Sequence, residues 1–431
     1  MKIALIVAGA AGMYCGSCLR DNALAAALLE MDEDVLLIPT YTPLLTDEPN
    51  VSIDRVFYGG INVYLQQKVP ILSRLPWLSD KLDSPKVLRA VSGMAGATDA
   101  SQLGDLTLSV LKGEDGRQRR ELEKLRDWLA DEVKPDIVNL PNLMFAGLAR
   151  PFKERLGTPV VCTLSGEDIF FEAIPEPHYS QVMEVAREKV QDIDGFISPS
   201  QYFADFTAEY LDVPQDRFHV VHPGLNLKDF DFERTGTGGS STIGYLARIC
   251  PEKGLHLLIE AYCRLKKESD TQEYRLKVAG YLGKRDEPYL AEIKKKINDE
   301  GLNDEFESLG TVDREEKIEF LKSIDVLCVP TVYREPKGIF VLEAMAAGLP
   351  VVLPEHGSFP ELIEATGGGI LFEPENVNAI SDSLKRLLGD QEMRQRLATA
   401  GRGAIRERFT SARMAEQVLA VYESLIQQLL S

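Results

Sequence analysis

Residues 326–353 read VLCVPTVYREPKGIFVLEAMAAGLPVVL. The opening apolar run, Val326–Val329, has strand length and branched side chains. It breaks at a loop containing Pro336 and Gly338 and resumes as a helical pattern over Val341–Ala347. Gly348 stops that helix, and a second apolar run follows at Pro350–Leu353. Strand, helix and strand in so short a span predict a βαβ unit with parallel strands and a right-handed crossover.

The same rhythm continues outward. In the second half of the chain, strands are expected at Thr242–Leu246, Arg275–Ala279 and Phe306–Leu309, with helices at Gly254–Lys267, Pro288–Glu300 and Arg314–Leu321. In the first half, strands are expected at Lys2–Ala8, Asp34–Pro39, Ile137–Leu140, Val160–Leu164 and Gly195–Ser198. Helices Asp21–Met31, Arg120–Glu132 and Val182–Gln191 fall between them. Two alternating runs in series predict an α/β protein of two Rossmann-like, parallel-sheet domains facing a cleft, with ligands at the carboxyl ends of the strands. The polar, glycine-rich stretch Asp231–Ser241 marks the change of domain, and Ser411–Leu430 is one unbroken helical pattern. The expected division is 1–228, 229–408 and a terminal helix within 409–431. The region from Leu44 to Leu111 is the least regular and is expected to hold loops and short helices.

Composition narrows the function. A formal net charge of −19 argues against nucleic-acid binding, which needs basic surface to displace counterions. It also weakens attraction to an anionic membrane surface. The dense basic cluster Arg117–Arg120 is followed by Glu121 and Glu123 and reads as a solvated helix face. The N-terminal Met1–Ala8 reads as a buried strand, with no small-residue cleavage site after it, and no apolar run approaches the roughly 20 residues of a transmembrane helix. Four of the six cysteines lie in or beside apolar segments, as buried reduced thiols do, so a cytoplasmic location is expected.

The chemistry gathers in two loops. A helix starting near Gly338 offers free amides and the positive end of its dipole, a cradle for a phosphate or sugar hydroxyl. Glu335 lies just before that start, and Glu343 lies further along much the same face. Two carboxylates in fixed positions suit a polyhydroxylated ligand. A capping glutamate and a solvated helix glutamate are the plainer alternative. The second loop, Ala247–Gly254, follows the first strand of the second half and carries Arg248 and Lys253. Two cations at the ligand edge of such a sheet fit a diphosphate.

These segments resemble the retaining GT-B glycosyltransferases of family four, which include glycogen, sucrose-phosphate and mannosyl transferases. Glu335 and Glu343, with the surrounding E-P-x-G and E-A-M-A-x-G-x-P-V-V pattern, fit its paired glutamates. Arg248 with Lys253-Gly254 fits its R-x-x-x-x-K-G pattern. Val220–Phe230, Asp194–Ser200 and Gly357–Leu362 resemble further segments of the same family. The resemblance implies a GT-B fold with the terminal helix returning to the first domain. It implies transfer of a hexose from a UDP-, GDP- or ADP-sugar to a hydroxyl acceptor with retention and without a metal. It assigns Arg248 and Lys253 to the leaving diphosphate, and the amides of Gly338, Ile339 and Phe340 to phosphate and sugar. Glu335 would hold the donor sugar and Glu343 the ribose.

In the N-terminal half, Gly12 and Gly16 match the family's glycine loop facing the donor phosphates. Cys15 and Cys18 form a lone C-x-x-C at a helix start, read first as part of a loop beside the substrate and less readily as a redox or metal pair. Two departures stand out. Ser165 occupies the place of a frequent family histidine, leaving Glu167, Asp168 or another group to take over, and Asn139–Asn142 lacks histidines as well. Among the five histidines, His356 beside Gly357 is the candidate for lining the cleft, against a plain structural role. The competing functions are a nucleotide-sugar epimerase, a catalytically weak nucleotide-sugar binding protein of the same fold, and a dinucleotide oxidoreductase. The last is disfavoured because Gly9, Gly12 and Gly16 are wrongly spaced for G-x-G-x-x-G.

Overall fold

The computed structural model describes residues 1–9, 15–57, 100–232, 241–268 and 273–431. Gly12, most of the irregular 44–111 region and most of the 231–241 stretch lie outside them. The chain forms two compact units, Met1–Gly224 with Ser411–Ser431, and Leu225–Thr410. The expected boundaries were 228/229 and 408/409. Residues 225–228 go with the second unit because the Leu225 amide donates to the Phe409 carbonyl at 2.9 Å, and Leu225 bridges Thr410.

The first unit is built on six parallel strands: β1 (Lys2–Val7), β2 (Asp34–Pro39), β3 (Ile137–Leu140), β4 (Val160–Thr163), β5 (Gly195–Ser198) and β6 (Phe218–Val220), in the order β2-β1-β3-β4-β5-β6. β1 shows why both faces must be covered. Ile3, Leu5 and Val7 join an apolar cluster with Leu24 and Leu28 of the helix Gly16–Glu30, and with Met414, Val418 and Tyr422 of the terminal helix Ser411–Leu430. Ala4 and Ile6 point the other way, into a cluster with Leu122, Leu125 and Leu129. A strand buried on both sides reads as a continuous apolar run, as this one does. Gly195 leaves room for Leu425 of the terminal helix, whose Cδ1 would stand 2.9 Å from an added Cβ.

The second unit repeats the plan with β7 (Ser241–Leu246), β8 (Tyr274–Ala279), β9 (Phe306–Gly310), β10 (Val326–Cys328), β11 (Val351–Pro354) and β12 (Gly369–Phe372), in the order β12-β11-β10-β7-β8-β9. All pairings are parallel. Among the described residues, no helix is long and apolar enough to cross a membrane.

Strands β6 and β12 were not expected from the sequence. Both are short edge strands: β6 reads Phe-His-Val, and in β12 three apolar residues follow glycine, too short a run to mark a strand.

Candidate functional site

Strand order places the site. In the second unit, β7, β8 and β9 step one way across the sheet and β10, β11 and β12 step the other, so the order reverses between β7 and β10. Loops leaving the carboxyl ends of these two strands must diverge, and the crevice between them is where open α/β sheets bind ligands. The loop after β7 is the one that carries Arg248 and Lys253. The loop after β10 carries Glu335 and leads into the helix Ile339–Ala346. Two segments some 80 residues apart in sequence are therefore neighbours, as their 82-residue ion-pair separation records.

The two loops are fitted closely. Gly254 has φ of +71°, and a Cβ there would stand 1.7 Å from the Pro330 carbonyl oxygen. Only glycine permits that approach. The Val332 amide donates to the Glu252 carbonyl at 3.0 Å. A third loop, following β11, fastens Glu335 from behind. The Ser358 amide donates to the Glu335 carbonyl at 2.8 Å, and a Cβ on Gly357 would lie 2.7 Å from the Glu335 backbone N and O. His356 belongs to this support. Its Nε2 lies 2.9 Å from the Thr331 carbonyl, which only accepts, so Nε2 carries the proton. Burial holds the His356 ring below its ordinary pKa, in the neutral form. The supporting role is the one the geometry favours.

On this frame Lys253 Nζ forms a close ion pair with Glu335 Oε2. The other carboxylate oxygen accepts from the Gly338 amide at 3.3 Å and the Lys337 amide at 3.4 Å. Burial alone would push the Glu335 carboxyl up. The charge and hydrogen bond of Lys253, with Lys337 and the Gly338 amide, outweigh it and hold the group below its ordinary value. The Lys253 ammonium also lies over the Tyr333 ring at 5.1 Å and the Phe340 ring at 5.6 Å. Arg248 is exposed and makes no ion pair among the described residues.

In the helix Ile339–Ala346, only Ile339, Phe340 and Glu343 are not fully buried. They share one face, so three residues expected at the site are its open side. Glu343 is the fifth residue of the helix. It forms an ion pair of 2.6 Å with Lys317, and both side chains are largely buried, at 12% and 10% exposure. Lys317 was not singled out in the sequence. It lies on the helix Arg314–Lys322 among charged residues, where a lysine reads as surface.

Arg248, Lys253, Glu335, Gly338, Ile339, Phe340 and Glu343 thus gather in the second unit. Gly16 and Asp168 belong to the first unit. Gly16 opens the helix that follows β1, at that sheet's own reversal between β1 and β3. Asp168 starts the short helix Asp168–Glu172 after β4. Neighbouring Glu167 is buried and spends both oxygens on the amides of Ser165 and Gly166, at 2.9–3.1 Å. Ser165 Oγ donates to the Pro141 carbonyl at 3.4 Å. Cys18 is raised far above an ordinary thiol, first by its hydrogen bond with Cys15 and then by burial. So raised a thiol is a poor nucleophile by itself.

Comparison with known proteins extends the reading. Residues 228–404 match the family model described as glycosyl transferases group 1, and residues 108–229 match the model described as Glycosyltransferase Family 4. An uncharacterized glycosyltransferase of Methanocaldococcus jannaschii is 28% identical over 239 residues, covering 53% of this chain and 59% of that one. The chain spans about half the length of the sequence relatives it matches. Two solved structures share the fold. Sucrose-phosphate synthase from Thermosynechococcus elongatus has a TM-score of 0.72 at 16% identity, covering 99% of each chain. The Anabaena protein HepE, crystallised with UDP and glucose, has a TM-score of 0.68 at 16% identity, covering 98% of this chain and 100% of that one.

Proposed function

From the premise that this chain is a GT-B, family-four-like glycosyltransferase, we propose that it moves a hexose from a nucleoside diphosphate sugar to a hydroxyl acceptor, with retention of anomeric configuration. The donor is a UDP-, GDP- or ADP-sugar. The observation that carries this reading is the Lys253–Glu335 pair at the β7/β10 reversal, beside an exposed Arg248.

In this mechanism the bond from sugar C1 to the diphosphate oxygen breaks, and the acceptor oxygen bonds to C1 on the same face. The acceptor proton passes to the departing diphosphate. Arg248 and Lys253 stabilise the charge that develops there, the work for which another site would use a divalent ion. The amides at Gly338, Ile339 and Phe340 meet phosphate and sugar at the helix start. Glu335, held ionised, accepts hydrogen bonds from donor-sugar hydroxyls, and Glu343 from the ribose. Asp168 serves the acceptor side where the family's histidine is missing, since Glu167 is already committed to backbone amides. The acceptor is a sugar or other small molecule. The burial of five of the six cysteines fits a reducing, cytoplasmic setting.

A second reading is a catalytically weak nucleotide-sugar binding protein. Ser165, whose hydroxyl is turned to a backbone carbonyl, favours it. Incubation with each donor and a panel of sugar acceptors, without added metal and with a chelator, separates the two. A product whose anomeric coupling by NMR matches the donor's supports retaining transfer. An inverted product contradicts it, and tight donor binding with no transfer supports the second reading.

A further inference from the structure

Lys317 is a cation that the proposed mechanism does not use. It is only 8% exposed, on a helix whose neighbouring Ile318 and Leu321 enter the apolar core. Burying an ammonium is costly, and an ion pair in such a place contributes little net stability compared with an apolar pair of similar volume. A leucine or methionine at 317 would serve the core as well. The consequence of a lysine there falls on Glu343.

The two glutamates of the site are held differently. Glu335 has both oxygens engaged, one by Lys253 and the other by the Lys337 and Gly338 amides. Glu343 has one oxygen engaged, Oε1, at 2.6 Å from Lys317 Nζ. Its Oε2 has no donor among the described residues and is not sealed from solvent. The helix bearing Lys317 is anchored at its start by a capping box between Asp313 and Glu316, immediately before the lysine. A fixed ammonium therefore pins one oxygen of a carboxylate and leaves the other as an aimed acceptor.

We infer that Lys317 is the positioning residue for ribose recognition: it holds Glu343 oriented so that Oε2 accepts from the ribose diol of the nucleoside diphosphate. This rests on the nucleotide-sugar reading. It assigns the ribose preference of the site to a pair of side chains from different helices, Lys317 and Glu343, and makes the site selective for a neutral diol at that position.

The test is calorimetric titration with UDP, GDP and ADP, and then, for whichever binds, with its 2′-deoxy and 3′-deoxy forms. The wild-type protein should bind at least one deoxy form about tenfold or more weakly, as expected for a lost hydrogen bond to a charged group. Lys317→Met should shrink that ratio to within about threefold, and Lys317→Arg should restore much of it. Should Lys317→Met fold poorly, the Lys317→Met/Glu343→Gln double variant removes both charges and should show the same loss of discrimination. A variant without Lys317 that keeps the wild-type ratio, whatever its melting temperature, overturns the inference. If none of the three nucleotides binds the wild type, the nucleotide-sugar reading itself fails and this inference with it.

Discussion

The carboxyl edges of the two sheets make an instructive contrast. Each sheet is parallel and reverses its strand order once. At the edge of the second unit, largely buried charges are paired between segments far apart in sequence, Lys253 with Glu335 and Lys317 with Glu343, and Arg248 stands exposed. At the edge of the first unit they are turned inward. Arg20 donates to Asp21 at 2.7 and 2.9 Å and to the Leu164 carbonyl at 2.9 Å, and Glu167 caps its own loop. Burial and backbone partners convert charged side chains into scaffold. Exposure at a strand reversal, as at Arg248, leaves a charge able to meet a ligand.

The sharpest way to break this contrast is to remove one member of the central pair. Glu335→Ala leaves Lys253 largely buried and unpaired, and should cost about 3–5 kcal/mol in chemical unfolding. The double variant Lys253→Met/Glu335→Gln should recover most of that stability while transfer stays undetectable. Recovery of transfer as well would mean the pair is scaffold, like its counterparts in the first unit.

A smaller effect should follow from Arg248→Ala. Turnover should fall about 100-fold, as for loss of one group stabilising developing charge. The melting temperature should not move, because the guanidinium is exposed and makes no ion pair among the described residues. A large stability loss would place Arg248 with the inward-facing group.

Asp168→Asn sharpens the comparison from the other side. Turnover should fall about 10- to 100-fold, while stabilisation by the nucleotide sugar stays at the wild-type level. A loss of nucleotide binding would contradict the division of labour between the two edges.

Acid should act on the second edge through Glu335. Its carboxyl sits below 4.5 in the folded protein. The stability it contributes is therefore fully present above its unfolded pKa and is lost as pH falls through the lower folded value. Melting curves recorded from pH 6 downward should show a steeper loss for wild type than for Glu335→Gln. Parallel curves would remove the depressed carboxyl from the account.

The smallest effect is expected at Cys15 and Cys18. Serine at either position should leave turnover unchanged with or without reductant, since the Cys18 thiol is shifted away from reactivity. Dependence on reductant would reopen the redox reading.

The same contrast explains what the sequence revealed. Arg248 and Lys253 lie in one short loop, and Glu335 and Gly338 in another that leads into the helix bearing Glu343. Each loop is read locally, and the apolar runs that precede them name the strands. In the first unit Arg20 is tied to the Leu164 carbonyl 144 residues on, so no local pattern announces that contact. Lys317 escaped for a related reason. Its partner Glu343 lies 26 residues on, and its own segment reads as an ordinary charged helix. The edge strands β6 and β12 were missed because each offers at most three apolar residues, too few to mark a strand.

The central claim is that the carboxyl edge of the second unit binds a nucleoside diphosphate sugar. The most direct measurement is the melting temperature of wild type and Glu335→Ala with saturating UDP-, GDP- and ADP-sugars and no added metal. A ligand that binds only the native state raises it by mass action. The account predicts a rise with one nucleotide sugar, much reduced in the variant. No rise with any of them, together with a rise in the presence of NAD, would contradict it.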